Sequence, residues 1–238
     1  MSYILAKNLS DATGYDPVGA SFEQPTGGVL SNPADPRLDY GNVSFTARQR
    51  FLATFLYELP VGKGRRFAGN SNKLVDGIIG GWEVSGVIVA QSGPFMTITA
   101  PGDPSGTGFN VLQGDGRADT VPGVPLYAGQ SLSQWINPAA FATPPNNIGR
   151  FGDSPIGSVV GPGEQVVSLS LLKRVSLTER IRMQIGAAAA NAFNHPNYAM
   201  PGILDLGYVG AGFGQISNLQ TAEGAGPRSL QLTGRITF

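Results

Sequence analysis

The sequence predicts an all-β fold: an antiparallel meander of about six strands forming part of a large transmembrane β-barrel, with long extracellular loops. Three observations point there. The carboxy-terminal stretch Arg228 to Phe238 alternates strictly, with Leu230, Leu232, Ile236 and Phe238 on one side and Ser229, Gln231, Thr233, Arg235 and Thr237 on the other. Side chains alternate across a strand, so this strand has one apolar and one polar face. The connectors between such segments are long and short in turn, as in outer-membrane barrels with long outer loops and short periplasmic turns. Only 13% of residues are charged, while Gly numbers 34 and Pro 18, a composition of turns and loops with sparse solvated surface.

The strands read in order as follows. The first covers roughly Ser2 to Asn8. The second, Val43 to Pro60, carries Phe45, Ala47, Phe51, Ala53, Phe55, Tyr57 and Leu59 on a face that only Gln49 interrupts, with Ser44, Thr46, Arg48, Arg50, Thr54 and Glu58 opposite. The third, about Ile78 to Gln91, places Trp82, Val84, Ile88 and Ala90 on one side, while Val87 and Val89 share the other with Glu83, Ser85 and Gln91. The fourth runs from about Gln165 to Val175, the fifth from Arg180 to Phe193, and the terminal strand is the sixth. Ala187 to Ala190 has helical propensity, but its place between an alternating segment and Asn194-His195-Pro196-Asn197 favours strand. A short helical turn is expected only at Ser131 to Ile136.

Lys plus Arg and Asp plus Glu balance at 16 each, so no bulk field favours nucleic acid. The absence of Cys excludes disulfides and thiolate sites. No apolar run is long enough for a transmembrane helix, though barrel strands need only about 10 alternating residues each. The apolar faces have two possible partners at this stage. They meet lipid in a barrel, or each other in a soluble secreted β-sandwich acting as an adhesion or glycan-binding module. A structureless connection as long as Gly93 to Glu164 is hard to place in the second.

Several segments, taken in order, resemble one family. They are ARQRFLATFLYELP with VGKGRRF (Ala47 to Phe67), GGWEVSGVIVAQSGPF (Gly80 to Phe95), WINPAAF (Trp135 to Phe141), LTERIRMQI (Leu177 to Ile185), NAFNHPNY (Asn191 to Tyr198) and the terminal strand. They are similar to the carboxy-terminal barrel region of TonB-dependent outer-membrane receptors, of the acidobacterial type that begins with a carboxypeptidase-regulatory-like domain. The resemblance implies a barrel of about 22 strands closed by a plug, in the outer membrane of a Gram-negative cell. Residues 1–238 would be its carboxy-terminal portion, with plug, further strands and export signal upstream of Met1. It implies import of a small ligand of unknown identity, energised by the TonB complex through that upstream part. The partners are then outer-membrane lipid and the rest of the receptor, with no cofactor and no enzymatic activity.

The resemblance also assigns roles. Phe238, with Ile236 and Leu232 before it, matches the terminal signal that barrel-assembly machinery recognises. Phe45, Phe51, Phe55, Tyr57, Trp82, Val84 and Ile88 become lipid-facing, and Arg48, Arg50, Glu58, Glu83, Arg182 and Arg235 lumen-facing. A lumen location requires that these charges converge on one side of the sheet.

Other candidates carry less. Asp103, Asp115 and Asp119 lack the spacing of a calcium-binding loop and read as ordinary loop carboxylates. His195 is the single histidine, so a multi-histidine metal site is impossible within the chain. No nucleophile elbow accompanies it, and its surroundings read as a turn. VGKGRR lacks the spacing of a phosphate cradle and reads as a basic periplasmic turn.

Overall fold

The computed structural model describes residues 1–11, 35–43, 46–108, 116–176, 178 and 180–238. Its central feature is one six-stranded antiparallel sheet in which strand order follows chain order. The strands are β1 (Ser2–Leu5), β2 (Gln49–Glu58), β3 (Trp82–Gln91), β4 (Glu164–Ser176), β5 (Arg182–Ala190) and β6 (Ser229–Thr237). All but β1 have 9 to 13 residues, the length that a tilted strand needs to cross a bilayer. These are the segments where apolar and polar residues alternate, and β-branched and aromatic side chains fit the pleat there.

Residues directly opposite one another share a face, so register sorts the side chains. One row joins Phe55, Gly86, Leu169, Ala189 and Leu230; the next joins Tyr57, Val84, Leu171, Ala187 and Leu232. Phe51, Ala53, Trp82, Ile88, Val167, Ile185 and Ile236 belong to the same face by the same registers. Gly86 has a packing reason here. A Cβ on it would sit 2.6 Å from the Phe55 ring, so the missing side chain lets that ring lie across β3.

Among the described residues nothing covers most of this face. Phe55, Tyr57, Leu171, Ile185 and Leu230 are exposed, and Leu232 and Ile236 keep 83% and 61% of their surface open. A sandwich would have buried Phe55 and Ile236 against a second sheet, and the structure leaves both bare. Phe51, Trp82, Val84 and Ile88 are half-buried among their sheet neighbours.

The hydrophobic core lies beyond the sheet, in the long connectors at one end. Met96, Ile98, Ala118, Ile136, Phe141 and Val159 from the β3–β4 connector pack with Leu204 and Phe213 from the β5–β6 connector. The expectation of a structureless loop from Gly93 to Glu164 is therefore corrected. That connector forms two-residue ladders, Phe95–Met96 with Val159–Val160 and Asp119–Thr120 with Phe141–Ala142. Thr99–Ala100 pairs likewise with Gly116–Arg117. Enough apolar side chains interrupt its turns to bury a small core of its own.

Two expectations about helix are also corrected. Ser131 to Ile136 is not helical; the nearby helical turn is a 3₁₀ turn at Pro138–Ala140, capped by the Asn137 side chain. An α-helix, α1 (Lys73–Ile79), occupies the connector expected to be a plain basic turn and the predicted start of the third strand. Asn72 caps it, accepting from the Val75 N–H at 2.9 Å, and Gly80 ends it. A side-chain oxygen that satisfies a first-turn N–H offsets much of the cost of starting so short a helix.

Candidate functional site

The polar face of the sheet gathers the charges. Arg50, Glu58, Glu83, Arg182 and Arg235 all fall on the face opposite the bare apolar one. Arg48 lies just before β2, where its carbonyl accepts the Ala6 N–H. Phe45 lies outside the described residues. Glu58 and Glu83 stand directly opposite each other, a repulsive pairing by itself. Arg174, which the sequence reading did not single out, resolves it: its guanidinium is 2.9 Å from Glu83 and 3.9 Å from Glu58. Arg65 reaches Glu58 at 2.9 Å. Arg182 and Arg235 are exposed at the same end of the sheet.

At the other end the β5–β6 connector folds back over the polar face. Arg50 forks onto Glu223 at 2.7 and 2.8 Å and donates to Gln91 at 2.6 Å. Gln91 in turn donates to Glu164 at 2.8 Å. Beside this rung Ala225 buries itself against Val89 and Val166. Two asparagines hold the fold-back. Asn191 donates to the carbonyls of His195 and Gly226. Asn197 accepts the Gln165 N–H at 2.7 Å and donates to the Ala225 carbonyl at 3.1 Å. The sequence signal for both was only a turn. Their burial, at 1% exposure each, marks them as structural clamps.

Asn197→Ala is expected to leave the Gln165 N–H and Ala225 C=O without these partners in a dry place, at a cost of about 1–3 kcal/mol. Hydrogen exchange should show the Ala225 and Gln165 amides opening faster, with the middle of β4 unchanged.

The weaker candidates stay apart. Asp103 binds its own loop, accepting from the Ser105 hydroxyl at 2.7 Å and from the Gly106 and Gly108 N–H groups. The Ser105 hydrogen bond, with these N–H groups, holds its carboxyl below the usual range. Asp119 is taken by a bidentate Arg150 at 2.6 and 2.7 Å, which lowers its carboxyl likewise. Asp115 lies outside the described residues. Among the described residues no group of three or more His, Cys, Asp or Glu side chains is placed to hold a metal. His195 Nδ1 lies 3.3 Å from the Asn197 side-chain oxygen and serves the turn. A buried pair, Arg117 and Asp39 at 4.0 Å, ties the β1–β2 connector to the β3–β4 connector. Burial holds the Arg117 guanidinium below its ordinary value, while Asp39 and Asp153 oppose that shift.

A bare apolar face, a charged opposite face and long connectors gathered at one end form the pattern of a barrel wall. A family model described as an outer membrane beta barrel domain matches residues 1–231. The chain belongs to this outer membrane beta barrel family. No curated protein matches the chain, and no solved structure does. Membership in the family places the chain in the outer membrane. None of the described helices is long and apolar enough to cross a membrane; barrels cross with strands. The match ends within β6, the strand that carries Leu232 and Ile236 and that Phe238 follows.

Proposed function

We propose that this barrel wall belongs to a TonB-dependent receptor, and that it serves ligand capture and energy-coupled import. One observation carries the physical part of the proposal: a single sheet with an uncovered apolar face and a charged face under a folded connector. On this reading Phe51, Phe55, Tyr57, Trp82, Val84 and Ile88 meet acyl chains. Arg50, Glu58, Glu83, Arg182 and Arg235 line the aqueous lumen, where mutual pairing is far less costly than in hydrocarbon. Leu232, Ile236 and Phe238 present the assembly signal. The Arg50–Glu223 pair and the Asn197 clamp keep the outer connector on the lumen side. A ligand crossing the wall would meet that connector first.

Among the described residues the sheet order leaves β1 and β6 each with one partner. Backbone groups at such edges have no partner in lipid, so a closed wall needs further strands. The rest of the receptor would supply them together with the plug. The TonB part of the proposal rests on the ordered family resemblance of the segments from Ala47 to the terminal strand. No catalysis is assigned to the chain.

The genomic sequence ahead of the Met1 codon provides the test. An in-frame extension encoding a plug, further alternating strands and a TonB-contacting segment is the expected result. An in-frame stop immediately upstream, preceded by no such segments, would overturn the receptor assignment and leave the outer-membrane barrel family intact.

A further inference from the structure

The connector between β2 and β3 does more than reverse the chain. α1 turns its apolar residues outward: Leu74 and Ile78, one turn apart, keep 83% and 72% of their surface open, and Val75 beside them is also exposed. A helix whose apolar stripe packs on nothing is unusual in a soluble setting. Its position is fixed by two residues of the sheet's apolar face. The Trp82 indole N–H donates to the Ile78 carbonyl at 2.9 Å. The Lys173 ammonium donates to the carbonyls of Ile78 and Gly80 and lies 5.3 Å from the Trp82 ring. Among the described residues of β2 to β6, Lys173 is the one cation on that apolar face, and these carbonyls at the helix end satisfy it. The helix end is thereby held against the inner edge of the apolar face and not against the charged face.

The stripe is continuous with the bare sheet. Ile78, at the helix end, is bonded through its carbonyl to Trp82, which shares the sheet's apolar face with Val84 and Tyr57. The same connector carries four cations, Lys63, Arg65, Arg66 and Lys73, against one anion, Asp76. Asp76 is turned inward, accepting the Lys63 N–H at 2.5 Å. Arg65 is paired with Glu58. Arg66 stacks over the exposed Phe67 ring at 5.5 Å. Apolar stripe, aromatic neighbours and a cationic border are the features of a helix that lies in a bilayer interface.

We infer that α1 and its flanking turn form a foot seated in the inner leaflet of the outer membrane. Leu74 and Ile78 enter the acyl region, and Arg66 and Lys73 contact the phosphates of anionic glycerophospholipid. Two features select this occupant: the stripe extends a lipid-facing wall, and its border has a net positive charge. The inference rests on the assignment of that wall to lipid.

Residues 1–238 have no Cys, so once any Cys encoded upstream of Met1 is replaced by Ser, single spin labels report cleanly. The full-length protein would be reconstituted in vesicles of phosphatidylethanolamine, with and without phosphatidylglycerol. Labels at Leu74→Cys, Ile78→Cys, Lys73→Cys and the wall position Leu230→Cys would be compared for collision with oxygen and with a water-soluble nickel reagent. Labels at 74, 78 and 230 are expected to collide several-fold more with oxygen than the label at 73. Adding phosphatidylglycerol should deepen 74 and 78, and Arg66→Gln with Lys73→Gln should abolish that deepening while 230 stays in lipid. Lipid signals at 230 with aqueous signals at 74 and 78 would overturn the foot and leave the wall assignment standing. Aqueous signals at all three would remove both. Equal depth in both vesicles would overturn the anionic-lipid contact.

Discussion

An arginine at Leu171 should destabilise the barrel by about 2–4 kcal/mol in phospholipid vesicles, the cost of a cation at the middle of a lipid-facing strand. Leu171 is the position of choice because it lies well inside β4, with Val84 and Ala187 as its cross-strand neighbours. An exposed leucine in water tolerates such a change within about 0.5 kcal/mol. Hydrocarbon instead withholds hydration from the guanidinium, and the side chain must bend toward the headgroups or draw water after it. Gln231→Arg provides the comparison. Gln231 is exposed on the opposite, charged face, opposite Ala188 in the β5–β6 register, and its change should stay within about 0.5 kcal/mol. Reversible denaturant unfolding of the two variants in the same vesicles measures the difference. Equal, small effects would mean that the apolar face meets water or protein, and the assignment of Phe55, Tyr57 and Trp82 to lipid would go with it.

The sheet was legible because its signal is local. A period of two residues needs only the strand itself, and β2, β4, β5 and β6 fall within their predicted ranges or within one residue of them. β3 begins later than expected because Ile78 and Ile79 belong to α1. That helix is only about two turns long and contains Gly77, so its period had no room to show. Its outward stripe of Leu74 and Ile78 also resembles the start of a strand. The convergence of charges was legible for the same reason as the strands, since alternate residues must share a face. Arg174 was missed because it follows Lys173 inside the fourth strand, and spacing alone names no partner for either cation. Register separates them: Arg174 resolves the Glu58–Glu83 clash on one face while Lys173 holds α1 on the other.

The outer core was not legible. Met96, Ile136, Leu204 and Phe213 are far apart in sequence and follow no period. They meet only because β3, β4 and β5 deliver both long connectors to one end of the sheet. Asn191 and Asn197 belong to the same class. A turn explains their residue types, and only the neighbouring connector explains their burial.

This division of the molecule into wall and outer core has a mechanical consequence that Ile98→Ala should expose. Ile98 is fully buried within the connector core, and removing its outer carbons leaves a cavity where close packing stood, at a cost of about 2–5 kcal/mol. That loss should fall on the connectors alone. The wall draws its stability from strand pairing and from the bilayer, and Ile98 takes part in neither. Trp135 reports on the connectors: it packs against this core, and its indole donates to the Val160 carbonyl at 2.9 Å. Residues 1–238 have only two tryptophans, so Trp82→Phe, with any tryptophan encoded upstream of Met1 replaced by Phe, leaves Trp135 as sole reporter. Denaturant titration should then show the Trp135 transition moving to lower concentration in Ile98→Ala, while the heat-dependent shift in electrophoretic mobility of the folded barrel stays in place. A joint shift of both would show that connectors and wall unfold as one cooperative unit. No shift in either would mean that Ile98 does not sit in a packed core. A separate first transition would give the outer surface a low-stability element above a rigid wall, and ligand-binding surfaces that must open and close draw on such elements.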